Sequence, residues 1–310
     1  MKILITGAAG YIGSVLVPIL LQKGHEVIAV DNFMYKQTSL LDCCHFDNLT
    51  LINGDVRDSE LIEENLKKVD AILPLACLAG APLCDKDPIT AKAVNFEAIK
   101  TILEKRSPNQ MVIFPTTNSG YGVGEKGIYC TEETPLRPVS IYGQLKVEIE
   151  KIILESGNSM TFRFATVFGV SPRMRLDLLV NDFTHRAYYD RFIVLFEAHF
   201  KRNYLHVRDA ARAFEYGLEN FEKMKGEAYN VGLSNANISK AELCEVIKTQ
   251  IPNFYFSEAE IGEDVDKRDY IVSNEKIESA GFKTEHSLTY GIRELIKGFQ
   301  IVKRSRYGNI

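Results

Sequence analysis

The fold is decided by the stretch Lys2-Ile3-Leu4-Ile5-Thr6-Gly7-Ala8-Ala9-Gly10-Tyr11-Ile12-Gly13 near the start of the sequence. Its first five residues are mostly apolar and predict a short strand, and the three spaced glycines predict a turn. The pattern then indicates a helix from Ser14 to Lys23 and a second strand from His25 to Val30, which Asp31 follows. These elements form one βαβ unit, so the sequence predicts a parallel α/β sheet.

Each glycine of this turn has a predicted physical role. Gly7 lets the strand turn sharply, Gly10 leaves out a Cβ where a diphosphate approaches the backbone, and Gly13 lets the helix pack closely on the sheet. The first N–H groups of the helix then face the diphosphate. Asp31, 18 residues after Gly13, can accept both ribose hydroxyls of an adenosine and repel a 2′-phosphate. The unit predicts a site for NAD rather than NADP, although glycines alone also fit an unrelated tight turn.

Length and composition limit the class of protein. A chain of 310 residues can bury a large core and hold one large domain or two smaller ones. Its net charge of −4 gives no reason to expect a nucleic-acid partner, and no apolar run is long enough to suggest a membrane span. The six cysteines lack paired spacing, which favours free thiols in a reducing cytosol over a zinc site. We therefore expect a cytoplasmic protein without a metal.

Strands and helices continue to alternate along the chain. Further strands are predicted at 49–53, 69–73 and 111–114, which indicates a doubly wound parallel Rossmann sheet followed by a smaller C-terminal α/β substrate domain. We expect an NAD-binding domain of residues 1–168 plus about 207–231. The substrate domain is expected to comprise about 169–206 plus 232–310, so that the two interleave around a cleft at the carboxyl ends of the strands. Later helices are predicted at about 178–189, 207–219, 239–250, 274–280 and 289–304.

Tyr142 and Lys146 open another predicted helix, which runs to about Ser156. Residues four apart lie on one helix face, so the ammonium can sit near the phenol and lower its pKa. A phenol that ionises near neutral pH can act as general base on a substrate hydroxyl while hydride leaves the same carbon for the cofactor. A surface helix with an exposed lysine is the alternative interpretation of this pair alone.

Three motifs resemble the extended short-chain dehydrogenase/reductase family, whose members mostly act on nucleotide sugars. They are the Gly-x-x-Gly-x-x-Gly turn, the run Thr116-Thr117-Asn118-Ser119-Gly120-Tyr121-Gly122, and the pair Tyr142 and Lys146. The resemblance implies that Thr117 hydrogen-bonds the reacting hydroxyl, that Tyr142 is the base, and that Lys146 also holds the nicotinamide ribose. It implies an NAD cofactor bound by Gly7, Gly10, Tyr11, Ile12, Gly13, Asp31, Asn32, Asp55, Val56, Leu75, Ala76, Cys77, Asn95, Tyr142 and Lys146.

Some of these implied roles have structural alternatives. Asp55 and Val56 are expected to hold the adenine, but Asp55 also fits ordinary loop chemistry. Asn95 is either a buried strut beside the cofactor or a core amide. The residues implied to bind the nucleotide sugar are Thr117, Asn118, Ser119, Thr166, Arg173, Arg175, Asn181, Arg202 and Arg268.

Some of the residues implied to bind the substrate match the family motifs, and others differ from them. Arg202 matches the arginine that pairs with the substrate diphosphate, and Arg268 is a second candidate for that contact, with a surface salt bridge as its alternative. Sugar 4,6-dehydratases of the family carry an Asp-Glu pair where this chain has Asn118 and Ser119, which cannot do that acid/base work. Dehydration is therefore disfavoured. Thr166 replaces the family's usual asparagine.

The predicted activity is NAD-dependent oxidation at C4 of a nucleotide sugar. The runs 116–122, 171–183 and 266–270 look most like the branch that includes GDP-heptose 4-dehydrogenases of capsule synthesis. A 4-epimerase is the main alternative, because it uses the same Tyr and Thr and returns hydride to the opposite face. A dehydrogenase acting on an amino acid such as threonine and a non-catalytic NAD sensor are less favoured.

The sequence also predicts a homodimer. The helix that starts at Tyr142 and the helix predicted from Pro88 to Lys105 are both more apolar than one packed face requires. In the resembled family these two helices pair across a twofold axis. The apolar residues concerned are Ile89, Ala93, Val94, Ile99, Ile102, Val147, Ile149, Ile152, Ile153 and Leu154.

Overall fold

The computed structural model describes residues 1–259 and 267–302. Its strands are β1 (Lys2–Thr6), β2 (Glu26–Asp31), β3 (Leu49–Asn53), β4 (Ala71–Pro74), β5 (Met111–Thr117), β6 (Tyr129–Cys130), β7 (Ser159–Phe164), β8 (Thr166–Phe168), β9 (Phe192–Leu195), β10 (Lys201–His206), β11 (Ala228–Val231), β12 (Asn237–Ser239), β13 (Tyr255–Glu258) and β14 (Ile271–Val272).

The helices follow the strands in regular alternation through the first half of the chain. They are α1 (Gly13–Gln22), α2 (Ser59–Leu66), α3 (Ala81–Lys86), α4 (Pro88–Lys92), α5 (Ala98–Lys105), α6 (Ile141–Glu155), α7 (Leu179–Tyr189), α8 (Val207–Glu219), α9 (Phe221–Met224), α10 (Lys240–Gln250), α11 (Glu275–Ser279) and α12 (Leu288–Gly298). Single 3₁₀ turns lie at Leu41–Cys43 and Asn118–Tyr121.

The central sheet has seven strands in the order β11-β7-β5-β4-β1-β2-β3, and every neighbouring pair is parallel. This order confirms the predicted doubly wound Rossmann sheet. Ile3 and Ile5 of β1 face one apolar layer with α1 and α8, whereas Leu4 faces another with α2, α5 and α6. Burial on both faces explains why the inner strands are nearly continuous apolar runs, whereas the edge strand β3 is largely exposed.

A separate apolar cluster forms around Phe168, α7, β9, α10 and α12. Small sheets accompany it, in which β10 joins β8 and β12, and β9 pairs with β13. The cluster draws on the chain segments that the sequence assigns to a substrate domain. The bounds of the two domains stay a prediction.

Two predicted helices differ from the structure. The helix expected from Pro88 to Lys105 is interrupted by a π-helical turn at Ala93–Glu97, which carries the buried Asn95. The Asn95 side-chain amide bonds the N–H and the carbonyl of Leu78, and single π-turns inside α-helices are frequent at functional sites. The last helix ends at Gly298, and Arg304, its predicted end, lies outside the described residues.

The homodimer stays a prediction, and the structure shows which apolar side chains of the two helices are exposed. Ile149, Ile153 and Ile99 are core residues, but Ile89 is 85% exposed and Ile152 is only partly covered. Because the helix pairing implied by the family resemblance would cover both side chains, we expect light scattering at micromolar concentration to give the mass of two chains. An Ile89→Glu variant is expected to shift the mass towards one chain, and a monomeric wild-type protein would contradict the prediction.

Among the described residues, no helix combines the length and the apolar character needed to cross a membrane.

Candidate active site

A large cavity lies at the carboxyl ends of the central strands, where α/β sheets of this type bind their ligands. The structure brings most of the predicted site residues into its wall. Those that line it are Gly7, Gly10, Tyr11, Ile12, Gly13, Asp31, Asn32, Asp55, Val56, Leu75, Ala76, Cys77, Thr117, Ser119, Tyr142, Lys146, Thr166, Arg173, Arg175 and Arg268. Asn95, Asn118, Asn181 and Arg202 are not among the lining residues.

The glycine turn forms the floor of this cavity. Gly7 has a positive φ of 68°, and a Cβ there would lie 2.5 Å from the backbone nitrogen of Ala76. At Gly13 a Cβ would lie 2.5 Å from the carbonyl oxygen of Ala8 and 2.7 Å from that of Gly7, so this glycine lets the start of α1 lie directly against the turn that follows β1. Because the turn is made of glycines, backbone atoms at the start of α1 face the cavity without side chains over them. Such a surface fits a diphosphate.

Asp31 stands beside this turn at the end of β2. Its carboxylate accepts the N–H of Ala9 at 2.9 Å and the N–H of Phe33 at 2.8 Å, which fix its orientation. Burial raises the pKa of Asp31, and these two hydrogen bonds oppose the rise. The carboxylate oxygens remain in the cavity wall, where they can accept ribose hydroxyls.

Replacing Asp31 by alanine is expected to weaken NAD binding by about tenfold or more, because a hydrogen bond to a charged group is lost. NADP binding should change less, since the carboxylate repels its 2′-phosphate. Titration of the apoprotein with both cofactors measures the two affinities, and Asp31→Asn is the matched control that keeps an acceptor oxygen without the charge. An unchanged ratio of the NAD and NADP affinities would remove Asp31 from this role.

Asp55, one of the two residues predicted to hold the adenine, is paired with Arg57, an arginine that no motif marked. Arg57 donates to the Asp55 carboxylate through Nε at 2.8 Å and Nη2 at 2.7 Å, and Asn32 donates to it at 3.3 Å. The Arg57 guanidinium holds the pKa of Asp55 well below its usual range. Asp55 is therefore an ionised, oriented acceptor at the cavity edge, next to the buried side chain of Val56.

Asn95 supports the cavity from behind. Its amide oxygen accepts the N–H of Leu78 at 2.8 Å, and its amide nitrogen donates to the Leu78 carbonyl at 3.0 Å. These bonds fix the segment after β4, in which Ala76 and Cys77 line the cavity. Asn95 is thus buried behind the cavity wall, and its role beside a cofactor stays a prediction.

Thr117, Tyr142 and Lys146 line the same cavity, with Thr117 at the end of β5 and the other two side chains on α6. Thr117 ends β5, and its hydroxyl donates to Ser119 Oγ at 3.0 Å. Lys146 is 4% exposed, donates to the carbonyl oxygen of Pro115 at 2.8 Å, and lies 4.2 Å from the centre of the Phe114 ring. The side chains that a hydroxyl-to-ketone reaction needs therefore share one surface.

The electrostatics of Tyr142 differ from the sequence-based expectation. Burial raises the pKa of the Tyr142 phenol, and the positive charges of Arg175 and Arg268 oppose the rise. Burial also lowers the pKa of Lys146, whose ammonium bonds the β5 backbone. Spacing on a helix says nothing about burial, which dominates the pKa of Tyr142 here, and the lowering of this pKa by Lys146 stays a prediction.

Arg268 and Arg175 place positive charge on the substrate side of the cavity. Arg268 Nη1 donates to Ser119 Oγ, which links it to Thr117 through that hydroxyl. Arg175 forms a salt bridge with Asp177 and donates to the Ala79 carbonyl at 3.4 Å. These guanidinium groups lie within the same cavity as Tyr142 and fit an anionic group of a substrate.

Three predicted substrate residues are placed elsewhere. Asn181 is fully buried and bonds Gly169 N–H, the Tyr11 hydroxyl and the Arg175 carbonyl, so it holds the cavity wall from behind. Arg202 is 4% exposed, donates to the Lys201 carbonyl, and stacks on Tyr270. Asn118 is 1% exposed with both amide atoms unbonded within the described structure.

The structure adds cavity residues that no motif marked. Tyr35 and Gln37, in the loop after β2, line the adenosine side, and their hydroxyl and amide atoms are buried without described hydrogen-bond partners. Buried polar atoms that face a cavity fit a polar ligand. The loop has no periodicity or spacing that could have predicted them. Within residues 1–259 and 267–302, no group of His, Cys, Asp or Glu could hold a metal ion.

The sheet order, the glycine turn and the Thr117, Tyr142 and Lys146 group define a dinucleotide-dependent oxidoreductase of the short-chain dehydrogenase/reductase type. Residues 3–232 match the family model described as the NAD dependent epimerase/dehydratase family. The chain belongs to this family, which makes it an NAD-dependent enzyme acting on nucleotide sugars.

Individual relatives carry epimerase names. An "Uncharacterized UDP-glucose epimerase YtcB" from Bacillus subtilis is 30% identical over 281 residues, covering 85% of this chain and 87% of the relative. A "UDP-glucose 4-epimerase" from Lactobacillus helveticus is 29% identical over 157 residues, covering 49% of this chain and 46% of the relative. The crystal structure of a UDP-glucose 4-epimerase from Thermus thermophilus in complex with NAD has a TM-score of 0.83 at 23% identity, covering 98% of this chain and all of that one.

Proposed function

We propose that this protein is a nucleotide-sugar 4-epimerase, with a UDP-hexose as the first substrate to test. The observation that carries the proposal is the placement of Thr117, Tyr142 and Lys146 in one cavity with the glycine turn. The epimerase names of the relatives favour this reaction over the 4-dehydrogenase that the motifs first suggested. The family name covers dehydratases as well, so the choice of reaction rests on the residues after Thr117.

Those residues do not provide a dehydratase's acid and base. Asn118 is buried away from the cavity, and Ser119 is bonded to Thr117 and Arg268. Neither side chain ionises near neutral pH, so neither can protonate a departing hydroxyl or take a proton from the adjacent carbon. We therefore expect the C6 oxygen of the sugar to be retained.

In the proposed reaction, the ionised phenol oxygen of Tyr142 takes the proton from the hydroxyl on C4 of the sugar and later returns it to the same oxygen. Thr117 Oγ1 hydrogen-bonds that oxygen and holds it beside the phenol. Bound NAD supplies the hydride acceptor and donor at C4. Lys146 stabilises negative charge beside Tyr142 and holds a cofactor ribose, with its position fixed by Pro115 and Phe114.

The substrate diphosphate is assigned to the arginines of the cavity. Arg268 takes this contact in our proposal, because it reaches the Thr117 and Ser119 side of the cavity, whereas Arg202 is buried under Tyr270. Arg175 supplies a second positive charge. A small amino acid would need no such pair of cations, which argues against the threonine-type dehydrogenase.

The test is incubation of the NAD-loaded enzyme with UDP-glucose, UDP-galactose, UDP-glucuronic acid or UDP-N-acetylglucosamine, followed by NMR of the products. An epimerase interconverts C4 epimers without an added electron acceptor and without accumulating NADH. A 4-dehydrogenase would instead stop after one turnover with NADH on the enzyme, and would move the assignment to that alternative. A 4-keto-6-deoxy product would overturn the argument from Asn118 and Ser119.

A further inference from the structure

A second arginine of the segment after β8 points away from the substrate side. Arg173 is 2% exposed and lines the cavity on the adenosine side. Its guanidinium carbon lies 3.9 Å from the centre of the Tyr35 ring, which belongs to the loop after β2. Arg175, two residues later, faces Tyr142 and Asp177. One short segment therefore carries a cation to each end of the cavity.

The segment is fastened to the glycine turn by several hydrogen bonds. Ser171 Oγ donates to the Tyr11 carbonyl at 2.7 Å and lies 2.9 Å from Ser14 Oγ. The N–H of Arg173 donates to Ser14 Oγ at 3.3 Å, and the Tyr11 hydroxyl donates to the Gly169 carbonyl at 2.6 Å. Because Ser14 is in the first turn of α1, these bonds bring Arg173 beside the helix end that fits a diphosphate.

The loop that carries Tyr35, the aromatic partner of the Arg173 guanidinium, is also held in place. Tyr35 lies between Phe33 and Lys36, which have positive φ values of 50° and 53°, so the loop adopts a conformation that non-glycine residues seldom take. Ser39 Oγ donates to the Ala9 carbonyl at 2.7 Å and ties the far end of the loop to the turn. The Tyr35 ring thus forms a fixed platform under a guanidinium, a cation–π arrangement.

We propose that Arg173 is a cofactor-retention residue: its guanidinium, held on the Tyr35 ring, pairs with the diphosphate of NAD from the adenosine side of the cavity and slows NAD dissociation. The proposal rests on the proposed function, since a 4-epimerase must keep its reduced cofactor until hydride returns to the sugar. An oriented guanidinium can bond a phosphate through two parallel N–H groups, which makes it suited to this contact. NAD release then requires the segment 171–175 to detach from the turn.

The test measures NAD dissociation without any sugar. The protein is loaded with NAD and freed of unbound nucleotide, and the NAD remaining on the chain is followed over time by chromatography. Arg173→Gln is expected to raise the dissociation rate by about tenfold or more, and Arg173→Lys by less, because a lysine keeps the charge without the planar fork. Arg186→Gln, which breaks an ion pair with Asp182 on α7 outside the cavity lining, is the matched control and should match the wild type.

The folding of each variant is checked by circular dichroism and by thermal unfolding without nucleotide. If Arg173→Gln does not fold, Tyr35→Leu removes the platform instead and should also speed NAD loss several-fold. The proposal is overturned if folded Arg173→Gln keeps NAD as long as the wild type. It is also overturned if Arg173→Gln fails to fold and Tyr35→Leu keeps NAD normally, or if Arg173→Gln alters only the preference between NAD and NADP. Lack of epimerase activity in the wild type would refute the proposed function, but the NAD dissociation rates of the variants could still be compared.

Discussion

Replacing Tyr142 by phenylalanine is expected to lower turnover by about 10²- to 10⁴-fold while NAD stays bound, since a general base contributes roughly that factor. The change removes one oxygen atom and keeps the ring, so the packing of α6 around the cavity wall is preserved. Turnover is measured by epimer formation under saturating sugar, and bound NAD by its release on denaturation. Near-normal turnover would show that another group accepts the proton from the C4 hydroxyl.

Tyr121→Phe provides a matched control for this loss of a phenol oxygen. Tyr121 is 2% exposed, and its hydroxyl bonds Asn230, Arg163 and the Thr131 carbonyl, outside the cavity. Its removal should lower stability by about 1–3 kcal/mol, because buried partners lose a hydrogen bond, while turnover of the folded protein stays within a few-fold of the wild type. The two tyrosines would thereby separate a catalytic phenol from a structural one.

The wild-type rate should also depend on pH in a defined direction. Burial raises the pKa of Tyr142, so the protonated phenol dominates near neutral pH and the active phenolate increases as the pH rises. We therefore expect the oxidation step to become faster with increasing pH through the neutral range.

Local pattern predicted the sheet well because its inner strands are buried on both faces, although the edge strand β3 is largely exposed. The bounds of β1, β3 and α8 match the predicted ranges, and the local patterns that define them need no knowledge of distant residues. The glycine turn was predictable for the same reason, since the close approach of Gly13 to Ala8 occurs within the motif itself.

Contacts between distant segments were beyond such reasoning. Asn95 in the π-turn bonds the backbone of Leu78, 17 residues away, and Arg202 lies over the ring of Tyr270, 68 residues further along the chain. Likewise, Arg173 and Tyr35 belong to different motifs and meet only because the segment after β8 is bonded to the glycine turn. Motif spacing identified the chemical groups of the site, but folding decides which of them face the cavity.

The face of α6 that carries Lys146 also carries Glu150, one turn further along. Glu150 is 3% exposed, and its carboxylate accepts Arg163 Nη2 at 2.7 Å and Nε at 3.0 Å. It also accepts the hydroxyl of Thr116 at 2.7 Å. Lys146 bonds Pro115 and Glu150 bonds Thr116, so this helix face fixes the end of β5 directly before Thr117.

Replacing Glu150 by alanine is expected to destabilise the fold by about 3–5 kcal/mol, because it leaves the Arg163 guanidinium buried without its counter-charge. Arg163 is 7% exposed, so water cannot replace the lost carboxylate without opening the core. Glu148→Ala removes a carboxylate from the exposed side of the same helix and should change stability by less than about 0.5 kcal/mol. Denaturant unfolding measures both variants, and Glu150→Gln, which keeps an acceptor oxygen, should fall between them. Equal stability of the Glu150→Ala and Glu148→Ala proteins would mean that the buried ion pair does not hold β5 against α6, and the placement of Thr117 would then need another cause.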